Sequence, residues 1–232
     1  MTYTSAHLWV LVDDLPNPDD ENLYPVHGLS ILIELRGDKR ITVLFDTGPS
    51  AEILRNNASR LGLSPLNPDI IFLSVWLGHH VGGFVQTLRY NEDVWCKTIA
   101  PEFPALKARP PAKGKLPPHT RLVGPFGFWF REQALAFQLD EGWVIITGCS
   151  LYGVRHLINA ARNIRPIYAV IGGFNLSSLD VLDGPYFVRW AQRAGVRTVV
   201  PLHSVAPKAR RIILKKLGNG IEWSGVGLDV EL

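Results

Sequence analysis

Ile70-Ile71-Phe72-Leu73-Ser74-Val75-Trp76-Leu77-Gly78-His79-His80-Val81-Gly82-Gly83 is an apolar run of strand length that empties into paired histidines and paired glycines. The spacing predicts a buried strand over Asp69 to Val75 and a helix over Gly83 to Tyr90. Ring nitrogens at the loop between them point to metal or acid/base chemistry. The plainer alternative is one histidine closing a turn and one hydrogen-bonded in the core. The remainder of the chain decides between these.

Working outward, Ala6 to Asp13, His27 to Leu35 and Ile41 to Phe45 read as three strands, the last two joined at the Gly37-Asp38 turn. Asp46-Thr47-Gly48-Pro49-Ser50 ends the third strand, with Ser50 placed to cap a helix carrying Leu54, Ala58 and Leu61 and stopped by Gly62. Val94 to Ile99 reads as a strand before a basic, Pro-rich excursion. Ala134 to Leu139 and Gly142 to Thr147 form a second antiparallel pair, and Gly148-Cys149-Ser150 a tight turn out of it. A helix bearing Val154, Leu157, Ile158 and Ala161 follows, then a strand over Ile167 to Ile171, a helix from Pro185, a strand over Val196 to Pro201, and a helix from Pro207 to Leu217. Ile221 to Leu232 supplies one or two short closing strands. An antiparallel opening followed by alternating strand and helix therefore occurs twice. That rhythm predicts two similar half-domains, each a mixed sheet with outer helices, packed as an αβ/βα sandwich in one domain over residues 1–232. Four strand ends carry the unusual residues, Asp46, His79-His80, Cys149-Ser150 and His203, and in mixed α/β layers strand ends converge on one site.

Composition bounds the function. With 47% apolar and 19% charged residues the chain is globular rather than disordered. Its apolar runs are too short to span a bilayer. The opening Met-Thr-Tyr-Thr-Ser lacks the pattern of a secretory signal, and two cysteines build no disulfide framework, so a reducing cytoplasm is expected. A formal charge of +3 does not by itself imply nucleic acid. Lys107, Arg109, Lys113, Lys115 and Arg121 make the 107–130 excursion basic, either as a solvated loop or as a gate for an anion. Phe126, Phe128, Trp129 and Phe130 make its end aromatic, either as a flap folded back on the core or as a wall for a flat ring or a partner. The cations Lys208, Arg210, Arg211, Lys215 and Lys216 around Ile212, Ile213 and Leu217 read as a solvated amphipathic face. Cys149 reads as packing rather than as a nucleophile paired with His203, and Ser30 and Ser150 have no evident base partner.

Taken in order, His27-Gly28-Leu29-Ser30, Phe45-Asp46-Thr47-Gly48, Asn57-Ala58-Ser59-Arg60-Leu61-Gly62, Leu73-Ser74 with Gly82-Gly83, Ile146-Thr147-Gly148-Cys149-Ser150, Ile171-Gly172-Gly173-Phe174 and Pro201-Leu202-His203 resemble the metallo-β-lactamase superfamily. Within that superfamily the chain resembles the group of dihydropterin–ribofuranosyl-aminobenzene-phosphate synthase-like proteins. The resemblance runs from Leu8 to Ser204 and implies the four-layer αβ/βα sandwich, with two mixed sheets face to face and helices outside.

The family's metal motif is where the chain departs. Where the family reads Leu-Ser-His-x-His-x-Asp-His-x-Gly-Gly, this sequence has Val75 and Leu77 for the first two histidines and His79 for the aspartate, while His80 keeps the last histidine. Leu151 replaces the histidine after Gly-Cys-Ser, and Asn175 the one common after Gly-Gly-Phe. His203 keeps the C-terminal ligand and Asp46 the supporting carboxylate. The resemblance places one metal position on Val75, Leu77 and Leu151, and hydrocarbon cannot hold a dication. The other position keeps His79, His80 and His203.

The resulting expectation is a dismantled two-metal centre that retains a pocket including His27, Ser150 and Asn175, for a small anionic or heteroaromatic molecule or a partner. Either no metal or one zinc ion is bound. The first alternative is a mononuclear zinc hydrolase of an ester, thioester or phosphoester, with Asp46 orienting a ligand or taking a proton. The second, since the superfamily includes nucleases, is a nucleic-acid-associated protein, which the modest charge disfavours.

Overall fold

In β1 (Ser5–Val12), Ala6, Leu8 and Val10 face one way and Leu11 and Val12 the other, with a bulge between Val10 and Val12. The same period of two puts Ile31, Ile33 and Leu35 of β2 (Ser30–Arg36) and Val43 and Phe45 of β3 (Arg40–Phe45) on one face. The computed structural model describes residues 2–88, 97–102, 114–177 and 182–232. The start of the expected Val94 strand, Tyr90, and Lys107, Arg109 and Lys113 lie outside these. Among the described residues β4 (Ile70–Phe72) and β5 (Thr98–Ile99) complete a six-stranded sheet in the order β11-β1-β2-β3-β4-β5, where β11 is Asp229–Glu231. A five-stranded sheet orders β10-β9-β8-β7-β6, from β6 (Thr120–Phe126), β7 (Glu132–Leu139), β8 (Gly142–Thr147), β9 (Ile167–Gly172) and β10 (Thr198–Pro201).

The two sheets repeat one topology. β1 to β3 form an antiparallel meander and β4 and β5 add in parallel; β6 to β8 do the same, with β9 and β10 added in parallel. Leu135, Phe137, Val144, Ile146, Ala169 and Ile171 of the second sheet meet the inner face of the first in one core. The outer face of the second sheet packs on α3 (Val154–Ala160), α4 (Asp183–Arg193) and α5 (Pro207–Leu217). α1 (Ala51–Arg60) covers the outer face of the first sheet with Leu54 and Ala58, and Ser50 caps it by accepting from the Ile53 amide. Helix, sheet, sheet, helix is the layering that the rhythm of the sequence predicts.

Four local expectations are corrected. The strand expected to Val75 ends at Phe72, because the next residues leave the ladder. The Leu73 and Ser74 carbonyls accept from the side chain and backbone of Gln133 on β7, and Asp46 takes the Ser74 amide. The following helix begins earlier than expected, as α2 (Gly78–Gly83), so His79 and His80 sit in its first turn, and it runs on as a π-helical segment, Phe84–Leu88. His27 lies before β2 rather than on it. Lastly, Arg210 is not on a solvated face: it is 2% exposed and donates to Asp13, itself fully buried, while Ile212 is exposed. Spacing alone could not show that a long guanidinium stem reaches inward from α5 to the end of β1.

Breaking that buried pair from one side strands a carboxylate without its cation. Arg210→Leu is expected to destabilise the protein by about 3–5 kcal/mol, and replacing Arg210 and Asp13 together by leucine to cost less than that single change. Urea denaturation of the three proteins checks it.

Candidate metal centre

The four singled-out strand ends converge. The imidazole ring centres of His27, His79, His80 and His203 lie 4.6–5.1 Å apart in five pairings. His80 is fully buried, His203 nearly so, His79 half-buried, and the His27 ring stands exposed at the mouth. The possible ligand atoms of His79, His80, Cys149 and His203 all lie within 4.8 Å of one another.

Each buried imidazole is oriented by a carboxylate. His80 Nδ1 lies 2.7 Å from Asp46 Oδ2. Asp46 also accepts from the Ser74 amide (2.7 Å) and hydroxyl (2.6 Å), and its own carbonyl accepts from the Ser30 hydroxyl. Asp46 adopts φ of 55°, a left-handed turn that swings its carboxylate behind the His80 ring. Gly148 makes that approach feasible: a Cβ there would sit 2.0 Å from Ser74 Oγ and 3.3 Å from Asp46 Oδ2. His203 Nδ1 lies 2.8 Å from Asp14 Oδ1, and Asp14 also accepts from the Gly28 and Ser204 amides. With both Nδ1 atoms engaged, both Nε2 atoms are free to face the cluster. That of His80 is buried and finds no hydrogen-bond partner among the described residues. An isolated buried nitrogen of this kind is costly unless something fills the role of partner.

Burial sets the charge states. It pushes His79 and His80 down to about 3, with neighbouring imidazoles adding to it, and lowers His203 despite Asp14. His79, His80 and His203 are therefore neutral at physiological pH, the state in which imidazole binds metals. Burial also raises Asp46 to about 8, against the donation it receives from Ser74. At Asp14 burial opposes ionisation, but the bonds from His203, Ser204 and Gly28 prevail and its carboxyl lies below the usual range. Burial and the carboxylates of Glu132, Asp46 and Asp14 push the Cys149 thiol up, so it is not a ready nucleophile on its own.

The remaining expected residues fall into place around this cluster. Asp46 is fully buried with both oxygens engaged, and it stands behind the His80 ring. Ser150 is buried and donates to the Gly173 carbonyl, and exposed Asn175 donates its amide to the Leu151 carbonyl. Both shape the loops. Val75 is fully buried and Leu77 and Leu151 half-buried, so the other position suggested by the resemblance carries hydrocarbon. The aromatic turn is not folded back on the core: Phe128 and Trp129 are 90% and 83% exposed. The Phe128 and Phe130 amides donate to the Tyr152 hydroxyl, which ties this turn to the loop carrying Cys149.

Two acids that hold the cluster in place are absent from the sequence reading. Asp14 directly follows the first expected strand, and an acid at a strand end is the same signal that singles out Asp46. Glu132 carried no signal. It is fully buried at the start of β7 and accepts the amides of Cys149 (3.1 Å), Ser150 (2.7 Å) and Leu151 (2.7 Å), fixing the turn. Burial raises its carboxyl to about 7 against those three bonds.

No protein-family model matches the chain. Among curated proteins it is similar to the 7,8-dihydropterin-6-methyl-4-(β-D-ribofuranosyl)-aminobenzene-5'-phosphate synthase of Methanocaldococcus jannaschii, 23% identical over 256 aligned positions that cover 84% of this chain and 86% of the relative. Among solved structures it is similar to Tm1679, described as a metal-dependent hydrolase of the β-lactamase superfamily. The TM-score is 0.72 at 23% identity, over 98% of this chain and 99% of that one. YhfI of Bacillus subtilis, a metallo-β-lactamase fold protein, gives 0.53 at 14% identity over 98% and 100%. A long-form RNase Z from yeast gives 0.55 at 10% identity, over 99% of this chain and 42% of that one. The chain has the metallo-β-lactamase fold.

Glu132→Gln keeps the shape but turns one acceptor into a donor facing an amide. It is expected to cost about 1–3 kcal/mol in chemical denaturation. An unchanged midpoint would show that the Cys149 turn is held by other contacts.

Proposed function

We propose that this chain is a one-metal protein on a hydrolase fold, with His79, His80 and His203 as ligands and the two-metal reaction lost. The observation that carries the reading is the Nε2 of His80, without a hydrogen-bond partner among the described residues and buried beside two further neutral imidazoles. Three imidazoles suit zinc, and the carboxylates behind His80 and His203 are the supports such ligands use. Val75, Leu77 and Leu151 offer no donor for a second ion. The pocket is retained for binding: exposed Phe128 and Trp129, tied through Tyr152 to the same loop, offer flat faces to a heteroaromatic ring. A pterin joined to a phosphate, as in the name of the Methanocaldococcus relative, is of that anionic heteroaromatic class. Nucleic acid is not favoured by the modest net charge.

A second reading, mononuclear hydrolysis of an ester, thioester or phosphoester, is favoured by the exposed His27 imidazole against His79 and His203. An ion held there supplies Lewis acidity toward the scissile group's oxygen. His27, whose Nδ1 lies 3.3 Å from Asp14 Oδ1 where that of His203 lies at 2.8 Å, is the exposed imidazole placed at the mouth to meet a bound molecule.

Elemental analysis of protein purified in zinc-containing medium is expected to find one ion per chain, lost in His203→Ala. Asp46→Ala and Asp14→Ala are expected to weaken metal binding by about 10–100-fold. Two ions per chain, or none after zinc is added, would overturn the proposal. Assays on lactone, thioester and phosphodiester panels with zinc present are expected to show no turnover. Chelator-sensitive turnover lost with His27→Ala would establish the hydrolase reading in its place.

A further inference from the structure

The sulfur of Cys149 has no part in the three-histidine reading, yet it sits among the histidines. We infer that Cys149 is a fourth ligand, completing a closed His79–His80–His203–Cys149 zinc site that clips the two sheets together. The inference rests on the one-metal proposal and deepens it.

Position is the first argument. The donor atoms of the four residues lie within 4.8 Å of one another, the span from which modest side-chain rotation reaches a tetrahedral set. Cys149 is 5% exposed and held at both ends of its peptide unit: its amide donates to Glu132, and its carbonyl accepts from the hydroxyl of Ser204, the neighbour of His203. Gly173 lets these segments meet. A Cβ there would lie 2.4 Å from the Gly148 carbonyl oxygen, 2.5 Å from that of His203 and 2.9 Å from the Cys149 Cα. Three loops are thus brought together with backbone-level closeness, and the thiol is aimed into the histidine cluster rather than at solvent.

Donor chemistry is the second. Three imidazoles and a thiolate select zinc and disfavour magnesium, calcium and manganese, which take oxygen ligands. Four protein donors complete the tetrahedron and leave no open position for a reacting molecule, the property of structural zinc sites. On binding, the Cys149 S–H bond breaks, its proton leaves to solvent and sulfur binds the ion; nothing is oxidised or reduced. Topology is the third argument. His79 and His80 follow β4 of the six-stranded sheet, whereas Cys149 follows β8 and His203 follows β10 of the five-stranded sheet. Ligands from both sheets make metal binding a term in holding the sandwich closed.

The test uses the full chain loaded with cobalt(II) in place of zinc. The expected result is one cobalt per chain, visible bands of tetrahedral intensity, and a near-ultraviolet thiolate-to-cobalt charge-transfer band. That band is lost in Cys149→Ser and kept in Cys96→Ser. Zinc-edge X-ray absorption on the Cys96→Ser protein needs no change at Cys149, and is expected to show one sulfur at about 2.3 Å among nitrogens at about 2.0–2.1 Å. One bound ion with only light-atom neighbours, or a charge-transfer band surviving in Cys149→Ser, overturns the inference and leaves the one-metal proposal standing. No bound ion at all overturns both. Zinc is also expected to raise the melting temperature of the wild-type chain, and by less in Cys149→Ser.

Discussion

A single buried carboxylate, that of Asp46, is the constraint on which the site depends. It sits in a left-handed turn at the end of β3, fully buried, and takes the Ser74 amide, the Ser74 hydroxyl and the His80 ring. Those bonds tie both the chain after β4 and the first turn of α2 to the end of β3. The cost is an acid in a place where burial opposes its ionisation, a penalty that the Ser74 donors offset only in part.

The same device recurs twice more in the cluster. Asp14 orients His203, and Glu132 gathers three successive amides to fix the turn at Cys149. Each acid comes from one segment and holds another distant in sequence. The centre is therefore held from behind, through backbone and carboxylate, and among the described residues His27 is its exposed imidazole and His79 its half-buried one. Such support is what allows three neutral imidazoles to crowd together with one nitrogen left bare.

Much of this was legible in the sequence, and the parts that were not have physical reasons. Period-two runs such as Ile31, Ile33 and Leu35 show their inward face directly, and the repeated rhythm of strand and helix gave the layering. His79, His80 and His203 stood out because imidazoles are uncommon at strand ends. Asp14 did not, since the next-door pair Asp13-Asp14 begins a loop that looks like any solvated turn. Arg210 was misplaced because helical spacing fixes the direction of a Cβ and says nothing of how far a guanidinium reaches. The aromatic turn was ambiguous for a similar reason: burial of Phe128 and Trp129 is decided by a hairpin's path, which composition does not encode.

Asp13 and Asp14 are consecutive, yet they answer to different parts of the molecule. One is locked to Arg210 on an outer helix, the other to a histidine of the cluster. The end of β1 therefore carries two anchors a single peptide bond apart, one for the outer helix layer and one for the buried cluster. The packing of α5 and the setting of the His203 ring share that one short piece of backbone.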